Sequence, residues 1–389
     1  MGGHFWHDEG LQATHQYAHA MDATRRHLIM QRWHAIQYDV LPELRAEVGV
    51  VTPKLARVVH VLEWVRIEEF VTASWCGVGR PPHTRAWLAN AFVAKAVLGI
   101  GTTVGLIERL AMDKALRRIC GFSPYARLPS EATFSRAFAE FANAKLGERV
   151  HEAMIKEHLG DELIGHISRD GTAIAARERP AADASARNTA ITPRKKGKRA
   201  RKTRTVPQAG SPIRRQRQQT LSEMLAELPT ACDRGTKCNA QGDKTSWNGY
   251  KLHIDTADCG VPIAAVLTSA SMHDSRAAVP LSHLTARRVT HLYDLMDAAY
   301  CSQELHEHCR ELGHVPLIDH NPRGGEKEHF EPSDAVRYRE RSAAERTNAR
   351  LKDAFGGRHV MVKGNAKVMR HLMFGLLALS ADQLMRLRQ

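Results

Sequence analysis

A chain of 389 residues, 43% hydrophobic and 25% charged, has the make-up of a soluble protein with room for two or three domains. Seven cysteines at scattered positions without C-x-x-C spacing indicate neither a disulfide frame nor a zinc knuckle. The formal net charge of +14 asks for a polyanionic partner.

The chain opens on "MGGHFWHDEG", which lacks the basic-then-apolar order of a secretory signal. The longest charge-free apolar stretch in this part, Ala96 to Ile107, is too short to span a bilayer, so a soluble, cytoplasmic protein without a membrane partner is expected. Residues 1 to about 160 read as helical. "LANAFVAKAVLGIGTTVGLIERLAMDKALRRICGF" has apolar residues at helical spacing and a stop at Gly121. A second helical run restarts at Pro129 and Ser130 and places Phe134, Phe138 and Phe141 on one face. The pair fits either an ordinary helical hairpin or a helix-turn-helix that offers Thr133, Ser135 and Arg136 to a nucleic acid.

Near residue 163 the texture changes. "ELIGHISRDGTAI" reads as a strand ending at Asp170-Gly171. Residues 181 to 219 hold almost no large apolar side chains and read as a flexible basic insertion. Between Arg194 and Arg217 there are eleven Lys or Arg and no acid; without them 45 cations face 42 acids. Arg194, Lys195, Lys196, Lys198, Arg199, Arg201, Lys202 and Arg204 are its densest part, either a phosphate-binding arm or a solvated linker. "GYKLHIDTADCGVPIAAVLTSAS" is a hairpin turning at Asp258-Cys259-Gly260. Cys232, Cys238 and His253 have the ligand types for a metal, but reduced thiols are the expected state. Trp247 is expected as a core or loop aromatic, with stacking on a displaced base as the alternative. A helix at about 275–287 follows, for which Asp274 is an expected N-cap with an auxiliary acid as the alternative. Then come a strand ending at Asp297, a helix at about 301–312, the strand "VPLID", a loop with Gly324 and Gly325, and a helix from Tyr338. An amphipathic segment closes the chain. Strand, insertion, hairpin, helix, strand, helix, strand, helix is the order of an α/β ribonuclease H-like domain, a mixed sheet with flanking helices. Expected boundaries are 1–160 for an all-α N-terminal domain and 161–389 for the ribonuclease H-like one.

"YRERSAAERTNARLK" carries the chemistry. On one helix, Tyr338, Arg341, Glu345 and Lys352 fall within about 60° of each other, while Ala344, Leu351 and Phe355 form an adjoining apolar stripe. A carboxylate flanked by cations would thus be held beside a buried seam. Asp170 and Asp297, at strand ends, are placed to share a site with it. Three such carboxylates repel unless hard divalent ions intervene, and two ions about 3.5–4 Å apart could flank a phosphorus under attack.

The spacing Y-x2-R-x3-E-x6-K resembles the signature of a large group of bacterial insertion-sequence transposases with a DDE triad. "RDGTAIAARERP" and "DLMDAAYCS" resemble the blocks around the first two aspartates, "WNGYKLHI" the strand between them, and "LRRICGF...LPSEATFSRAFAEF" the helical N-terminal domain. The likeness runs from about residue 85 to 385. It implies that Asp170, Asp297 and Glu345 bind two Mg²⁺ ions, with Mn²⁺ able to substitute. It implies cleavage of double-stranded DNA at the terminal inverted repeats and joining of the 3′ hydroxyl to target DNA. Tyr338, Arg341 and Lys352 would hold terminal phosphates, and a homodimer on DNA in the bacterial nucleoid is expected. Ala298 and Ala299 depart from the glycine that relatives often carry before the aromatic at Tyr300. Two other readings compete: a DNA-binding regulator (or inactive remnant), and a simple nuclease that cuts without joining.

Overall fold

The computed structural model describes residues 51–71, 83–180, 211–238, 242–322 and 326–388. The eight basic positions from Arg194 to Arg204 lie outside the described residues.

Thr52 caps the first described helix, α1 (Pro53–Val65), by accepting from the Leu55 amide, and Pro53 sits where a missing N–H costs nothing. Then follow α2 (Arg85–Val97), α3 (Thr103–Met112), α4 (Lys114–Ile119), α5 (Glu131–Asn143) and α6 (Leu146–Leu159). Ser130 caps α5 through the Thr133 amide. Phe134, Phe138 and Phe141 are buried as their spacing predicts. They meet Phe92 of α2 edge to face, with centroids 5.8, 5.0 and 6.4 Å away.

The second part is a six-stranded mixed sheet. Its strands are β1 (Leu163–Ala175), β2 (Asp233–Cys238), β3 (Lys244–Ala257), β4 (Pro262–Ser269), β5 (Thr290–Met296) and β6 (Val315–Ile318). The order is β2-β3-β1-β5-β6, and β4 also pairs with β3. β1, β5 and β6 run parallel; β3 runs antiparallel to β1, β2 and β4. Helices α7 (Pro212–Gln216), α8 (Leu221–Glu227), α9 (Ser275–Ala286) and α10 (Gln303–Glu311) are associated with one face. On the other lie α12 (Ser342–Ala354) and α13 (Asn365–Leu387); α11 (Pro332–Tyr338) precedes α12. The fold is ribonuclease H-like, preceded by an all-helical region.

Four expectations change. β1 does not stop at Asp170-Gly171 but continues to Ala175, because β3 pairs with it as far as Gly249. β2 was not anticipated; its "DRGTKC" lacks the apolar alternation of a half-buried strand. The basic insertion is ordered before residue 219: α7 buries Ile213 and Gln216, and Arg217 reaches Glu307 of α10 at 2.9 Å. The closing segment is no amphipathic surface helix. α13 is buried around most of its girth from Leu372 to Asp382, packed between α1, α2, α5 and α6 and the β4 side of the sheet.

Trp247 is a structural aromatic. Its indole donates to the Tyr250 carbonyl at 2.9 Å and lies against Gly235, where a Cβ would come within 2.5 Å of the ring.

Candidate active site

Strand register places the first two acids. Arg169 on β1 is level with Met296 on β5, so Asp170 stands level with Asp297, one residue past the end of β5. Neighbouring strands lie about 4.8 Å apart, and successive side chains alternate between faces. Arg169 points to the α9 face, where it donates to Met296 Sδ at 3.5 Å. Asp170 therefore points to the opposite face, where Asn348 of α12 donates to its Oδ2 at 2.9 Å. Asp297 begins a 3-10 turn (Ala298–Tyr300) and accepts from the Ala299 amide at 3.0 Å, so alanine suffices where relatives often have glycine.

Asn348 lies one helical turn beyond Glu345, so the bond to Asp170 docks the glutamate's helix on the strand of the first aspartate. Arg341 completes the arrangement. It donates to Glu345 Oε1 at 2.6 Å, and its charge acts on both Asp170 and Asp297. Arg341 is thus paired with Glu345 while lying within electrostatic reach of Asp170 and Asp297. The helix is in three pieces rather than one: α11 ends at Tyr338, a 3-10 turn covers Arg339–Arg341, and α12 starts at Ser342. The stripe survives because Arg341 still lies 6.0 Å from the Tyr338 ring centroid. The apolar stripe is buried as expected, with Ala344, Leu351 and Phe355 all at 1% exposure or less.

The electrostatics follow from this crowding. Burial pushes the Asp170 carboxyl up to about 6; Lys237 and Arg341 pull it down, and Asp297 adds to the rise. Burial also raises Asp297, with the Ala299 amide and Arg341 opposing and Asp274 reinforcing. Burial pushes the Tyr338 hydroxyl up to about 12, so it remains a hydrogen-bond donor at neutral pH. Burial lowers Lys352, as do Arg358 and Lys237, while Asp170 favours its charge. Lys352 therefore sits within electrostatic reach of the first aspartate, as the stripe requires. Arg136 stands exposed on α5, 3.4 Å from the Thr133 hydroxyl.

Two contributors escaped the sequence reading, and a third was expected first in another role. Asn348 lies beside the Tyr338–Lys352 stripe, one turn after Glu345, and its bond to Asp170 is set by the packing of α12 on β1. Lys237 is carried by the unanticipated β2 and had no local signal. Asp274 was expected to cap α9 but makes no capping bond. It pairs instead with Lys251 at 2.8 Å. Gly171 permits this approach, since a Cβ there would lie 3.1 Å from both Asp274 Oδ1 and His253 Nδ1.

Beneath the site, Arg169 is fully buried and bonds both oxygens of Asp255 at 2.7 Å. Its Nη2 lies 3.7 Å from Asp294 Oδ1. Burial alone would raise Asp294, but bonds from His291 and His314 and the Arg169 charge hold it well below the usual carboxylate range. His291, Asp294 and His314 offer three ligand atoms within 4.8 Å of one another and can hold a metal ion. Two imidazoles suit a borderline transition metal rather than Mg²⁺, which prefers oxygen. The Asp170, Asp297, Glu345 group has that oxygen character, and the buried Oδ1 of Asn348 has no hydrogen-bond partner. The donor set therefore fits a hard cation.

Among the described residues no helix is long and apolar enough to cross a membrane. No curated protein and no solved structure matches the chain. Two family models do. "Transposase domain (DUF772)" matches residues 43–140, within the part where the described elements are helical. "Transposase DDE domain" matches residues 170–381, starting on Asp170 and including Asp297, Glu345 and most of α13. That second match covers more than half of the chain, which therefore belongs to the transposase DDE domain family.

Proposed function

We propose that the chain is an insertion-sequence transposase of the group with the Tyr-Arg-Glu-Lys signature, cutting DNA at element ends and joining the 3′ hydroxyl to a target. The observation that supports this reading is Arg341, which bonds Glu345 while its charge acts on Asp170 and Asp297, level with each other at their strand ends. Asp170, Asp297 and Glu345 would hold two Mg²⁺ ions, replaceable by Mn²⁺. Bound there, the ions would lower the pKa of the attacking hydroxyl and offset charge on the departing oxygen.

The chain's own groups do the positioning. Asn348 fixes one oxygen of Asp170 and leaves the other to face the site. Arg341 now satisfies Glu345, whose side chain is 59% exposed; an incoming phosphate would compete for that guanidinium and free the carboxylate. Tyr338 donates through its protonated hydroxyl, and Lys352, crowded by other cations, gains from a phosphate that offsets their repulsion. Residues 1–160 would engage the inverted repeats, with Arg136 of α5 on the duplex. Arg194, Lys195, Lys196, Lys198, Arg199, Arg201, Lys202 and Arg204 would bind backbone phosphates. The catalytic part would comprise 161–389, acting as a homodimer on DNA in the bacterial cytoplasm.

The test is Glu345→Gln with a labelled end duplex and Mg²⁺. Cleavage and joined product should vanish while duplex binding persists. A variant that cuts and joins at the wild-type rate refutes the role of Glu345. Wild-type protein that binds but leaves strands intact would support the regulator instead, and cutting without joining would support the nuclease.

A further inference from the structure

The helical part and the sheet part meet at a cleft of about 330 Å³ that none of the roles above uses. Lys95 of α2, Arg177 just past β1, Lys363 and Lys367 bring four cations to its walls, against one carboxylate, Glu131. The first turns of three long helices also border it: Thr103 of α3, Glu131 of α5 and Lys367 of α13, with Ser135 one turn further along α5. Each such turn carries partial positive charge from unpaired amides.

Lys95 shows that the cleft is unfinished. It is 7% exposed, and its Nζ donates to the Gly101 carbonyl at 3.2 Å. Among the described residues no carboxylate pairs with it. A buried cation without an anion is costly. Burial lowers its pKa to about 8, so most of it remains charged at neutral pH. His371, also on the wall, cannot balance it; burial and the Lys95 charge keep it neutral, near 4. The loop at the rim is anchored, with the Gly364 amide on Glu178 at 3.1 Å. Cations, hydroxyls and helix ends around an uncompensated buried lysine match a phosphate group.

We propose that this cleft binds a backbone phosphate of duplex DNA, at the seam between the two parts of the chain. It rests on the DNA-acting reading above. Arg177 is seven residues beyond Asp170 along a largely extended path, at most about 23 Å. At one phosphate per roughly 3.4 Å of a strand, the bound group would lie within about seven nucleotides of the cut. One duplex would therefore touch both parts and fix their common register on the element end.

The experiment compares wild type with Lys363→Ala/Lys367→Ala, two exposed positions unconnected with the acids. Binding of an end duplex is measured from 50 to 300 mM salt in EDTA, so no strand cutting is needed. The variant should bind about tenfold more weakly near 100 mM, and the slope of log affinity against log salt should flatten by roughly one to two. Lys95→Met should lower affinity in the same direction, with its melting temperature confirming a folded protein. Inorganic phosphate is the second arm, and it should raise the melting temperature of wild type more than that of the double variant. Unchanged affinity and slope would overturn the proposal. If phosphate discriminates the proteins while the DNA slopes coincide, the cleft is a small-anion site and the DNA assignment is wrong. Loss of catalysis in Glu345→Gln bears on the acids alone, so either idea can fail without the other.

Discussion

Asp170→Asn should make the protein more stable at alkaline pH, and the gain can be worked out. The carboxyl titrates near 6 rather than 3.8, chiefly because it is withdrawn from water. A gap of about two pH units corresponds to about 3 kcal/mol. Asp170 is only half-buried as a residue, so solvent screening brings the working figure to about 2 kcal/mol. Below pH 4 the group is protonated whether the chain is folded or not, and the substitution should do little. Between about 4 and 6 the unfolded chain releases its proton while the folded chain retains it, so wild-type stability falls as pH rises. Above 6 the whole penalty applies. Thermal unfolding in a chelator from pH 4 to 9 should therefore show Asp170→Asn melting roughly 4–8 °C higher at pH 8, converging on wild type near pH 4. A variant no more stable than wild type at pH 8, or a gain that does not shrink on acidification, refutes the idea that the site stores unfavourable charge. Divalent ions should narrow the difference, since they stabilise only the chain that retains the carboxylate.

Arg169→Met should cost about 3–5 kcal/mol, read as a lower urea midpoint, because it strands Asp255 and Asp294 in the interior. Adding Asp255→Leu should recover a good part; a single variant within about 1 kcal/mol of wild type would mean the pair is not holding β1 to β3. Deleting residues 194–204 removes eight cations without touching α7. If half of them meet phosphates, the salt slope should fall by about three to four, and an unaltered slope would exclude the arm from the DNA contact.

The legible parts of the sequence were those with local periodicity. Phe134, Phe138 and Phe141, the turn at Gly260, and the stripe from Tyr338 to Lys352 each follow from spacing within a few turns or one hairpin. What spacing could not supply was set by partners elsewhere. β1 runs past Asp170 because β3 continues alongside it, and β2 forms because the outer edge of β3 is open there. Asp274 looked like a cap because it precedes a helix, yet Lys251, 23 residues earlier, is the stronger attraction. The level placement of Asp170 and Asp297 was legible from their positions at strand ends. Arg341 as their shared neighbour, and Asn348 as the clasp on Asp170, needed the packed chain.

Helix α13 is the last described element to leave the ribosome, yet α1, α2, α5 and α6 all rest against it. Until it emerges, Phe92 and Phe138 lack the neighbour Phe374, whose ring lies 5.6 and 6.1 Å from theirs. A product terminated early would carry bare apolar helices and be prone to clumping or proteolysis. The packing of the helical part and of the β4 side of the sheet would then be completed in the same step of synthesis.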